Sequence, residues 1–463
     1  MKTWLTGKRY RLPARMLAEA TERRAAGHRR GACESAGVDV DVHLSDLARH
    51  HTARFAAQVE EDLAHLVPDL LRWHFPGPPR ERDGLFARYV TLGLALYRHA
   101  PSGLRLLAHA TDWPQRLRVF VAVPSTGTVP WYDRRHLWDS RYTAGLRQFV
   151  GGDRRAPFFH RDGTPLTRAE LPTAPPPEED RAAWTEWQTL HHAGTRPWLD
   201  RGHRHEPSGD PGWLPAIDPF LPRQGRLRPE HLHPLVQESL FPDLAAPYRY
   251  EPPRPRLPAL PVAVRVPCGG GFHRLVLGDG TVHVKDHPAA EVAREETLGA
   301  LGATRIGCVA ERHEWRTTWG ARPDAPRRLR ALCRHALTAA RHGDADELHR
   351  LLDAGLDPAL VRTWRRGSLL HLLTCFDARV APALARRLVA AGIPVDEADL
   401  WGHTPLWRVG RGGRGTPELF RTLLDLGARP PAGDAGARMV EDLTFRARRD
   451  LLALLEERAW SPG

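Results

Sequence analysis

Three leucine-rich segments that each end in glycine recur at a nearly constant spacing in the last third of the chain. They read LHRLLDAGLDP, ARRLVAAGIPV and FRTLLDLGARP, and their glycines are Gly355, Gly392 and Gly427. The glycines are 37 and 35 residues apart. A period of this length is typical of repeat proteins, in which each helical unit buries its apolar face only against its neighbours. The period therefore constrains the fold of this region more than any local pattern does.

A second recurring motif precedes the second and third segments. It reads GSLLHLLT at 367–374 and GHTPLWRV at 402–409. The Thr404 hydroxyl is positioned to cap a helix, and Pro405 suits a first helical turn, where a missing N–H costs nothing. The glycine after each leucine-rich segment suits the left-handed turn that ends a helix. The residues expected to maintain the repeat are Gly355, His371, Gly392, Gly402, Thr404, Pro405, Leu406 and Gly427.

Together these motifs resemble the ankyrin repeat, whose pattern is Gly-x-Thr-Pro-Leu-His-x-Ala, a turn, and then x-x-Leu-Leu-x-x-Gly-Ala. The resemblance covers about residues 325–460 and implies an all-α solenoid of about three degenerate repeats. The stretch MVEDLTFRARRDLLALLEERA suggests a terminal helix pair that caps the stack. The pattern is imperfect: Trp407 stands at the usual histidine, Ser368-Leu369 replace Thr-Pro, and an insertion at 410–417 lengthens a turn.

The resemblance implies that each repeat presents a turn, or finger, beside a concave surface that binds proteins. Exposed tryptophan and arginine at such positions are typical of interface hot spots. The candidate partner-binding residues are Arg362, Trp364, Arg365, Asp399, Leu400, Trp401 and Arg408. An alternative of equal weight is that Trp364 and Trp401 fold back over neighbouring fingers.

The chain divides by composition into four segments. Residues 1–151 predict a mostly helical domain with a few strands. Residues 152–261 hold about half of the 42 prolines, which predicts a wrap or linker with one helix. Residues 262–312 predict a small β-β-α-β unit, and 325–463 form the ankyrin-like repeat domain. We therefore expect a multidomain α+β protein.

Local patterns set further expectations for the first 312 residues. Ser45 is the predicted cap of one long helix through residue 66, and Pro68 is expected to begin a short helix. Other helices are predicted at about 82–98, within 131–149, at 178–193 and at about 288–301. Strands are predicted at GLRLLAHA, at RLRVFVAVP, in a hairpin that turns at Asp279-Gly280, and at 305–309.

The charge balance gives weak support to a nucleic-acid partner. The formal net charge is +12, which suggests an anionic partner. Lysine occurs only at Lys2, Lys8 and Lys285, so the 67 basic residues are almost all arginine. This bias is typical of GC-rich coding, and the arginines are spread along the chain. Nucleic-acid binders usually cluster their basic residues on one face.

Cysteine usage and hydropathy predict a cytoplasmic protein without membrane association. The five cysteines form no C-x-x-C pair, which favours buried free thiols over disulfides. The N-terminal MKTWLTGKRYRLPARML lacks the apolar core of a secretion signal. The longest apolar runs, such as 89–97, are too short to span a bilayer.

Histidine pairs are numerous but lack a recognised catalytic or metal-binding spacing. The most suggestive is His283-x-x-x-His287, yet no pair matches H-E-x-x-H or adjoins a cysteine pair. The run CGGGFHRL at 268–275 lacks the lysine of a phosphate-binding loop, and we interpret it as a flexible entry to the hairpin. The sequence predicts no metal, no cofactor and no catalytic residue.

The sequence favours a scaffold or adaptor that binds an unknown protein partner through its repeat fingers. The alternative is an effector-type enzyme or nucleic-acid-acting protein, in which residues 1–150 act chemically while the repeats select the target. Under that alternative, polar residues such as Asp133, His136, His160 and Asp162 should converge in one cleft with shifted pKa values.

Overall fold

The computed structural model describes residues 3–77, 84–87, 90–97, 100, 103–111, 115–191, 227–245, 249–251, 257–318, 327–411 and 415–458. The chain divides into two compact units, Met1–Pro255 and Arg256–Gly463. Helices occur together with two small sheets, so the fold is mixed α+β, as predicted. Among the described residues, no helix has the length and apolarity needed to cross a lipid bilayer.

Helices form most of the first 75 residues of the N-terminal unit, and others follow its strands later in the chain. They are α1 (Thr3–Arg11), α2 (Ala14–Ala25), α3 (Arg29–Ser35), α4 (Leu44–His50), α5 (Ala53–Ala64), α6 (Pro68–His74), α7 (Leu146–Phe149), α8 (Arg181–His191) and α9 (Pro234–Leu240). The helix predicted to begin at Pro68 is confirmed as α6.

The single long helix predicted from Ser45 is wrong, because the chain breaks between α4 and α5. Thr52 has an extended backbone, and its side chain accepts a hydrogen bond from the Phe55 N–H at 3.1 Å. A threonine in this geometry caps a new helix and cannot continue the preceding one. The cap at the start of α5 is therefore Thr52, and α4 follows the extended residue His43.

The N-terminal sheet has the strand order β1-β4-β3-β2-β5. Its strands are β1 (Val38–Asp41), β2 (Thr91–Leu96), β3 (Arg105–Ala110), β4 (Leu117–Ala122) and β5 (Val129–Pro130). β3 pairs antiparallel with both β2 and β4, while β1 and β5 run parallel to β4 and β2. The two predicted strands in this region are confirmed as β3 and β4.

The helix predicted at about 82–98 is wrong in its described part, where Thr91–Leu96 forms β2. A short apolar run fits a buried strand as well as a helix, so periodicity does not separate the two. Gly93 allows the Tyr132 side chain to pack directly against the backbone of β2. A Cβ at this position would lie 2.5 Å from the Tyr132 ring, so the bare backbone admits the close approach of that side chain.

Residues from both halves of the N-terminal unit share one apolar core. It includes Phe55 and Leu92 from the first half, and Phe159, Val236 and Phe241 from the second. Segment 1–151 and the part of segment 152–261 up to Pro255 therefore belong to one compact unit. The helix predicted at 178–193 is confirmed as α8. The segment was predicted to hold one helix, but α9 is a second. Residues 192–226 lie outside the described residues.

The helix predicted within 131–149 forms only in short pieces. Two 3-10 helices, Arg135–Leu137 and Ser140–Gly145, precede the single turn of α7. The Asp139 side chain accepts a hydrogen bond from the Arg141 N–H at 3.0 Å, which caps the second 3-10 helix and separates it from the first.

The C-terminal unit begins with an antiparallel sheet of order β6-β7-β8. Its strands are β6 (Val262–Cys268), β7 (Gly271–Gly278) and β8 (Thr281–Val284). The predicted hairpin is confirmed as β7 and β8. Asp279 and Gly280 have φ angles of 53° and 76°, which suit a two-residue primed turn. The strand β6 is an addition to the predicted β-β-α-β unit.

Two helices follow this sheet, α10 (Ala289–Ala300) and α11 (Gly307–Thr318). α10 confirms the helix predicted at about 288–301. The strand predicted at 305–309 is wrong, because α11 begins there and buries Cys308, Val309 and Trp315. Residues spaced in this way lie on one helical face, a periodicity that the five-residue window was too short to reveal.

The remaining helices follow one another as neighbouring pairs. They are α12 (Arg327–Arg341), α13 (Ala345–Asp353), α14 (Ala381–Ala390), α15 (Pro405–Arg411), α16 (Pro417–Asp425), α17 (Gly433–Phe445) and α18 (Arg449–Glu456). A 3-10 helix, Leu369–Cys375, stands before α14 as its partner. The predicted terminal helix pair is confirmed as α17 and α18.

One apolar core joins the sheet and the helices of the C-terminal unit. Leu275 and Leu277 of β7 belong to the same cluster as Leu348, Leu372 and Leu423. The segments distinguished by composition at 262–312 and 325–463 thus form one compact unit. The described residues group into two units, whereas composition had suggested four segments.

Candidate functional site

Two neighbouring turns project from the helical region of the C-terminal unit. We call residues 363–367 the first finger and residues 399–403 the second finger. In each finger the backbone N–H of the first residue donates to the carbonyl of the last at 2.9 Å. The Leu400 N–H also donates to the Arg365 carbonyl at 2.9 Å. This bond ties the fingers together and fixes the spacing of the side chains that they carry.

Three exposed side chains and one half-buried arginine form a compact group at the tips, which we call the finger cluster: Trp364, Leu400 and Trp401, with Arg365. The two indole rings meet edge to face, with centroids 6.2 Å apart. The Arg365 Cζ lies 4.5 Å from the Trp364 centroid and 3.3 Å from the Trp401 centroid. Even so, Trp364 is 64% exposed, Trp401 is 56% exposed and Leu400 is 55% exposed. The indoles cover each other in part, and both still present apolar area to solvent.

The other predicted partner-binding residues are committed to internal contacts. Arg362 is 6% exposed, donates through Nη2 to the Arg316 carbonyl at 2.7 Å and pairs with Glu397 at 2.5 Å. Asp399 is buried and accepts hydrogen bonds from the N–H groups of residues 401 and 403. Arg408 binds the second Asp399 oxygen at 2.7 Å. These three residues hold the fingers in place and do not present a surface.

His371 supports the second finger through a hydrogen bond to its last residue, His403. Its ring is buried, and Nε2–H donates to the His403 carbonyl at 3.0 Å while Nδ1 accepts from the Ser368 hydroxyl at 3.2 Å. Burial lowers the pKa of His371 to about 4, so the ring is neutral at physiological pH. His403 in turn stacks on Trp407 with centroids 3.6 Å apart. Trp407 therefore supplies an aromatic platform under the finger.

The residues predicted to maintain the repeat have the expected local geometry. Gly355, Gly392 and Gly427 have φ angles of 95°, 90° and 94°, and each follows a helix. The Thr404 hydroxyl accepts from the Trp407 N–H at 3.3 Å, and Pro405 begins α15. Gly402 has a φ of 75° at the tip of the second finger, and Leu406 is buried.

The four polar residues proposed for an enzymatic cleft make separate local contacts. The Asp133 side chain is 83% exposed. Burial lowers the pKa of His136 to about 4. His160 faces a glutamate carboxylate at 3.2 Å, and Asp162 accepts hydrogen bonds from Thr164. Within the described part of the chain these residues form no hydrogen bond with one another, and no single cleft brings all four together in one hydrogen-bonded group.

A buried polar network in the N-terminal unit was not anticipated. Asp62 accepts from the Tyr97 hydroxyl at 3.0 Å and from Arg141 at 2.7 Å. Arg141 also binds Asp139, which is fully buried, at 2.8 Å. Arg135 pairs with both carboxylates. Each charge is matched inside the network, which identifies it as a structural element.

A group of potential metal ligands lies beside the sheet of the C-terminal unit. Cys268, His273, His287 and Cys308 each offer one ligand atom, and these atoms all lie within 4.8 Å of one another. This group is not predictable from spacing in the sequence, because its ligands come from separate elements and form no C-x-x-C pair. Of the suggestive pair His283 and His287, only His287 takes part.

Neither the protein-family models nor the curated proteins compared with this chain give a match.

Proposed function

We propose that residues 327–458 form an ankyrin-like repeat stack that binds a protein partner through the finger cluster. The observation that carries this proposal is the pair of exposed indoles held around Arg365 on two hydrogen-bonded fingers. Exposed tryptophan and arginine held in one geometry are the usual components of an interface hot spot, because little side-chain entropy remains to be lost on binding.

Support for the repeat assignment comes from the agreement of period, helix pairing and turn geometry. Consecutive helix pairs follow the sequence period, and a glycine with positive φ ends the second helix of three pairs. The fingers lie between one pair and the next. A 3-10 helix at Leu369–Cys375 stands where the first helix of a repeat is expected, which marks this stack as irregular.

The chemistry of the finger cluster favours an acidic partner segment with an apolar anchor. Trp364, Leu400 and Trp401 offer apolar area, and the first finger adds the charges of Arg365 and Arg366, of which Arg366 is exposed. The two carboxylates closest in sequence to the finger cluster are Glu397 and Asp399, and they form ion pairs with Arg362 and Arg408. A protein segment with carboxylates beside a large apolar side chain would complement both features. We place this scaffold or adaptor in the cytoplasm.

The experiment is affinity capture with the full chain as bait, followed by quantitative mass spectrometry. The test variant is Trp364→Ala/Trp401→Ala. Its matched control is Phe272→Ala/Phe445→Ala, which removes two other exposed aromatic side chains, 61% and 89% exposed, from the same unit. We expect a protein captured by the wild type and by the control to be lost from the test variant. Hot-spot tryptophans contribute about 2 kcal/mol or more each, which is about 30-fold in affinity.

The same capture experiment distinguishes the competing functions. Nuclease treatment that abolishes capture would point to a nucleic-acid partner and contradict the proposal. Equal capture by the wild type and the test variant would place the interaction elsewhere on the chain. Binding of only the N-terminal fragment of this protein, added in trans, would identify the fingers as an internal clamp.

A further inference from the structure

Two cysteines and two histidines converge from four points along the chain. Cys268 ends β6, His273 lies in β7, His287 precedes α10, and Cys308 lies in the first turn of α11. The intervals between them are 4, 13 and 20 residues. The group therefore joins the sheet to both helices that follow it.

Three of the distances between the ligand atoms lie at or below those of a tetrahedral zinc site. Cys268 Sγ lies 3.3 Å from His287 Nε2, and Cys308 Sγ lies 3.3 Å from His273 Nδ1. The two histidine nitrogens are 2.7 Å apart. Zinc bonds of about 2.3 Å to sulfur and about 2.0 Å to nitrogen separate tetrahedral ligand atoms by roughly 3.3–3.8 Å. Small outward movements of the side chains would admit the ion.

A carboxylate orients one of the histidines toward the centre of the group. Glu291, in the first turn of α10, accepts a hydrogen bond from His287 Nδ1–H at 3.0 Å. With its proton on Nδ1, the ring directs the Nε2 lone pair at Cys268 and His273. Metal-bound histidines usually donate their second N–H to a carboxylate in this way. Glu291 therefore holds the His287 ring in the orientation that a metal ligand needs.

The glycines around the group permit the close approach of its backbone segments. Gly269 and Gly270 have φ angles of 58° and 80° and turn the chain between β6 and β7. Gly307, next to Cys308, has a φ of 56°, and a Cβ there would lie 2.4 Å from Cys268 Sγ. The glycine-rich run that we interpreted as a flexible hairpin entry thus brings a cysteine and a histidine to one point.

We propose that Cys268, His273, His287 and Cys308 bind one zinc ion as a structural Cys2His2 site. Thiolate and imidazole ligands in tetrahedral arrangement favour zinc among the common divalent ions. Four protein ligands leave no open position for substrate or water. On binding, the two thiols release their protons to solvent and the histidines contribute neutral lone pairs.

The site would supply attachment that α10 does not obtain from packing. None of the residues of α10, all of which the structure describes, is buried. α11 buries Cys308 and Trp315. Its Arg316 carbonyl accepts a hydrogen bond from Arg362, which precedes the first finger. Zinc would therefore fix α10 and α11 to the sheet and stiffen the support of the finger cluster.

An alternative role for part of this group is nucleophilic catalysis, with Cys268 as the nucleophile activated by His287 and Glu291. The order thiol, imidazole and carboxylate fits that arrangement. A nucleophile requires one thiol and one base, however, and leaves the convergence of Cys308 and His273 without a role. Metal binding uses all four groups, and we favour it for that reason.

Elemental analysis of the full chain tests the proposal. The protein is purified without a polyhistidine tag or chelator, and zinc is measured by inductively coupled plasma mass spectrometry. We expect about one zinc ion per chain. Cys268→Ser, Cys308→Ser and His287→Asn should each lose most of it. Cys375→Ser and His283→Asn, which change the same residue types outside the group, should retain it.

Cobalt substitution of the wild-type protein avoids dependence on variants that fail to fold. Zinc is removed with a chelator and replaced by cobalt(II). We expect the intense visible bands of tetrahedral cobalt together with a thiolate charge-transfer band. Wild-type protein that holds no zinc and gives no tetrahedral cobalt spectrum would overturn the proposal. A Cys268–Cys308 disulfide, or a metal-free Cys268 thiol that an alkylating reagent modifies with loss of a hydrolytic activity, would overturn it too.

Discussion

Arginine has different surroundings in the polar network of the N-terminal unit and in the finger cluster of the C-terminal unit. In the N-terminal unit, Arg141 binds Asp139 and Asp62 at 2.8 Å and 2.7 Å, and both carboxylates are buried. In the C-terminal unit, Arg365 stacks between Trp364 and Trp401, which are more than half exposed. The first arrangement faces the interior and the second faces solvent.

The difference separates a stabilising role from a recognition role. A buried carboxylate that loses its partners keeps the cost of desolvation, so a buried network is expensive to break. A guanidinium stacked on exposed rings contributes much less to folding. We therefore expect substitutions in the N-terminal network to change the free energy of unfolding, and those in the finger cluster to change binding.

The largest effect on folding is expected for Asp139→Ala. The substitution leaves Arg135 and Arg141 with one fewer buried carboxylate and removes the cap of a 3-10 helix. The free energy of unfolding in urea should fall by about 4 kcal/mol. Asp133→Ala, in the same segment but exposed, should change it by less than about 0.5 kcal/mol. Similar losses for both variants would remove the contrast on which the comparison depends.

Acid should weaken the support of the second finger. Burial lowers the pKa of His371 from an ordinary 6.5 to about 4. The unfolded chain therefore binds more protons between pH 6.5 and pH 4, and stability falls as the pH falls through this window. The loss amounts to at most about 3 kcal/mol. In His371→Gln the pH dependence of unfolding should be shallower, whereas in the exposed-site control His50→Gln it should match the wild type.

A smaller effect distinguishes two glycines that have the same backbone conformation. Gly355 and Gly427 have φ angles of 95° and 94°, but a Cβ at Gly355 would lie 2.7 Å from the Asp279 nitrogen while Gly427 faces open space. Gly427→Ala should cost about 1 kcal/mol from backbone strain alone. Gly355→Ala should cost about 2 kcal/mol, since the hairpin must also move. Equal melting temperatures for the two variants would contradict this packing.

A small effect on folding is expected for Trp364→Ala/Trp401→Ala. Exposed cation–π contacts contribute about 0.5–1 kcal/mol, so the double variant should lose about 1 kcal/mol of unfolding free energy in urea. A loss of several kcal/mol would show that the indoles act as covering groups for the fingers. The recognition role of the finger cluster would then lose its main support.

Some of these features follow from sequence and others require the fold. The hairpin turn at Asp279-Gly280 and the glycines that end helices are predictable, because positive φ restricts the choice of residue at each position. The strand Thr91–Leu96 and the helix Gly307–Thr318 are not, because short apolar runs fit either structure. The sequence pattern therefore predicts the turns better than the helices and strands between them.

For the finger residues, the sequence predicts the position in the chain but not the burial of the side chain. Sequence position places Arg362 and Asp399 in or beside the fingers but does not tell whether their side chains face inward. Their burial depends on Arg316 of α11 and Arg408 of α15, which supply a carbonyl and a guanidinium. The cysteine–histidine group is harder still, because its ligands span residues 268–308 and meet only through the hairpin and the start of α11.

Site-specific photocrosslinking tests the recognition role of the finger cluster most directly. A photoreactive phenylalanine analogue is placed in the full chain at Leu400, an exposed position of the finger cluster that leaves both tryptophans in place, and at Phe445 as an exposed control in the same unit. We predict that position 400, irradiated in host lysate, yields a crosslink to a defined protein at an acidic segment, and that position 445 does not. Identical crosslinks at both positions, or none at position 400, would contradict the account.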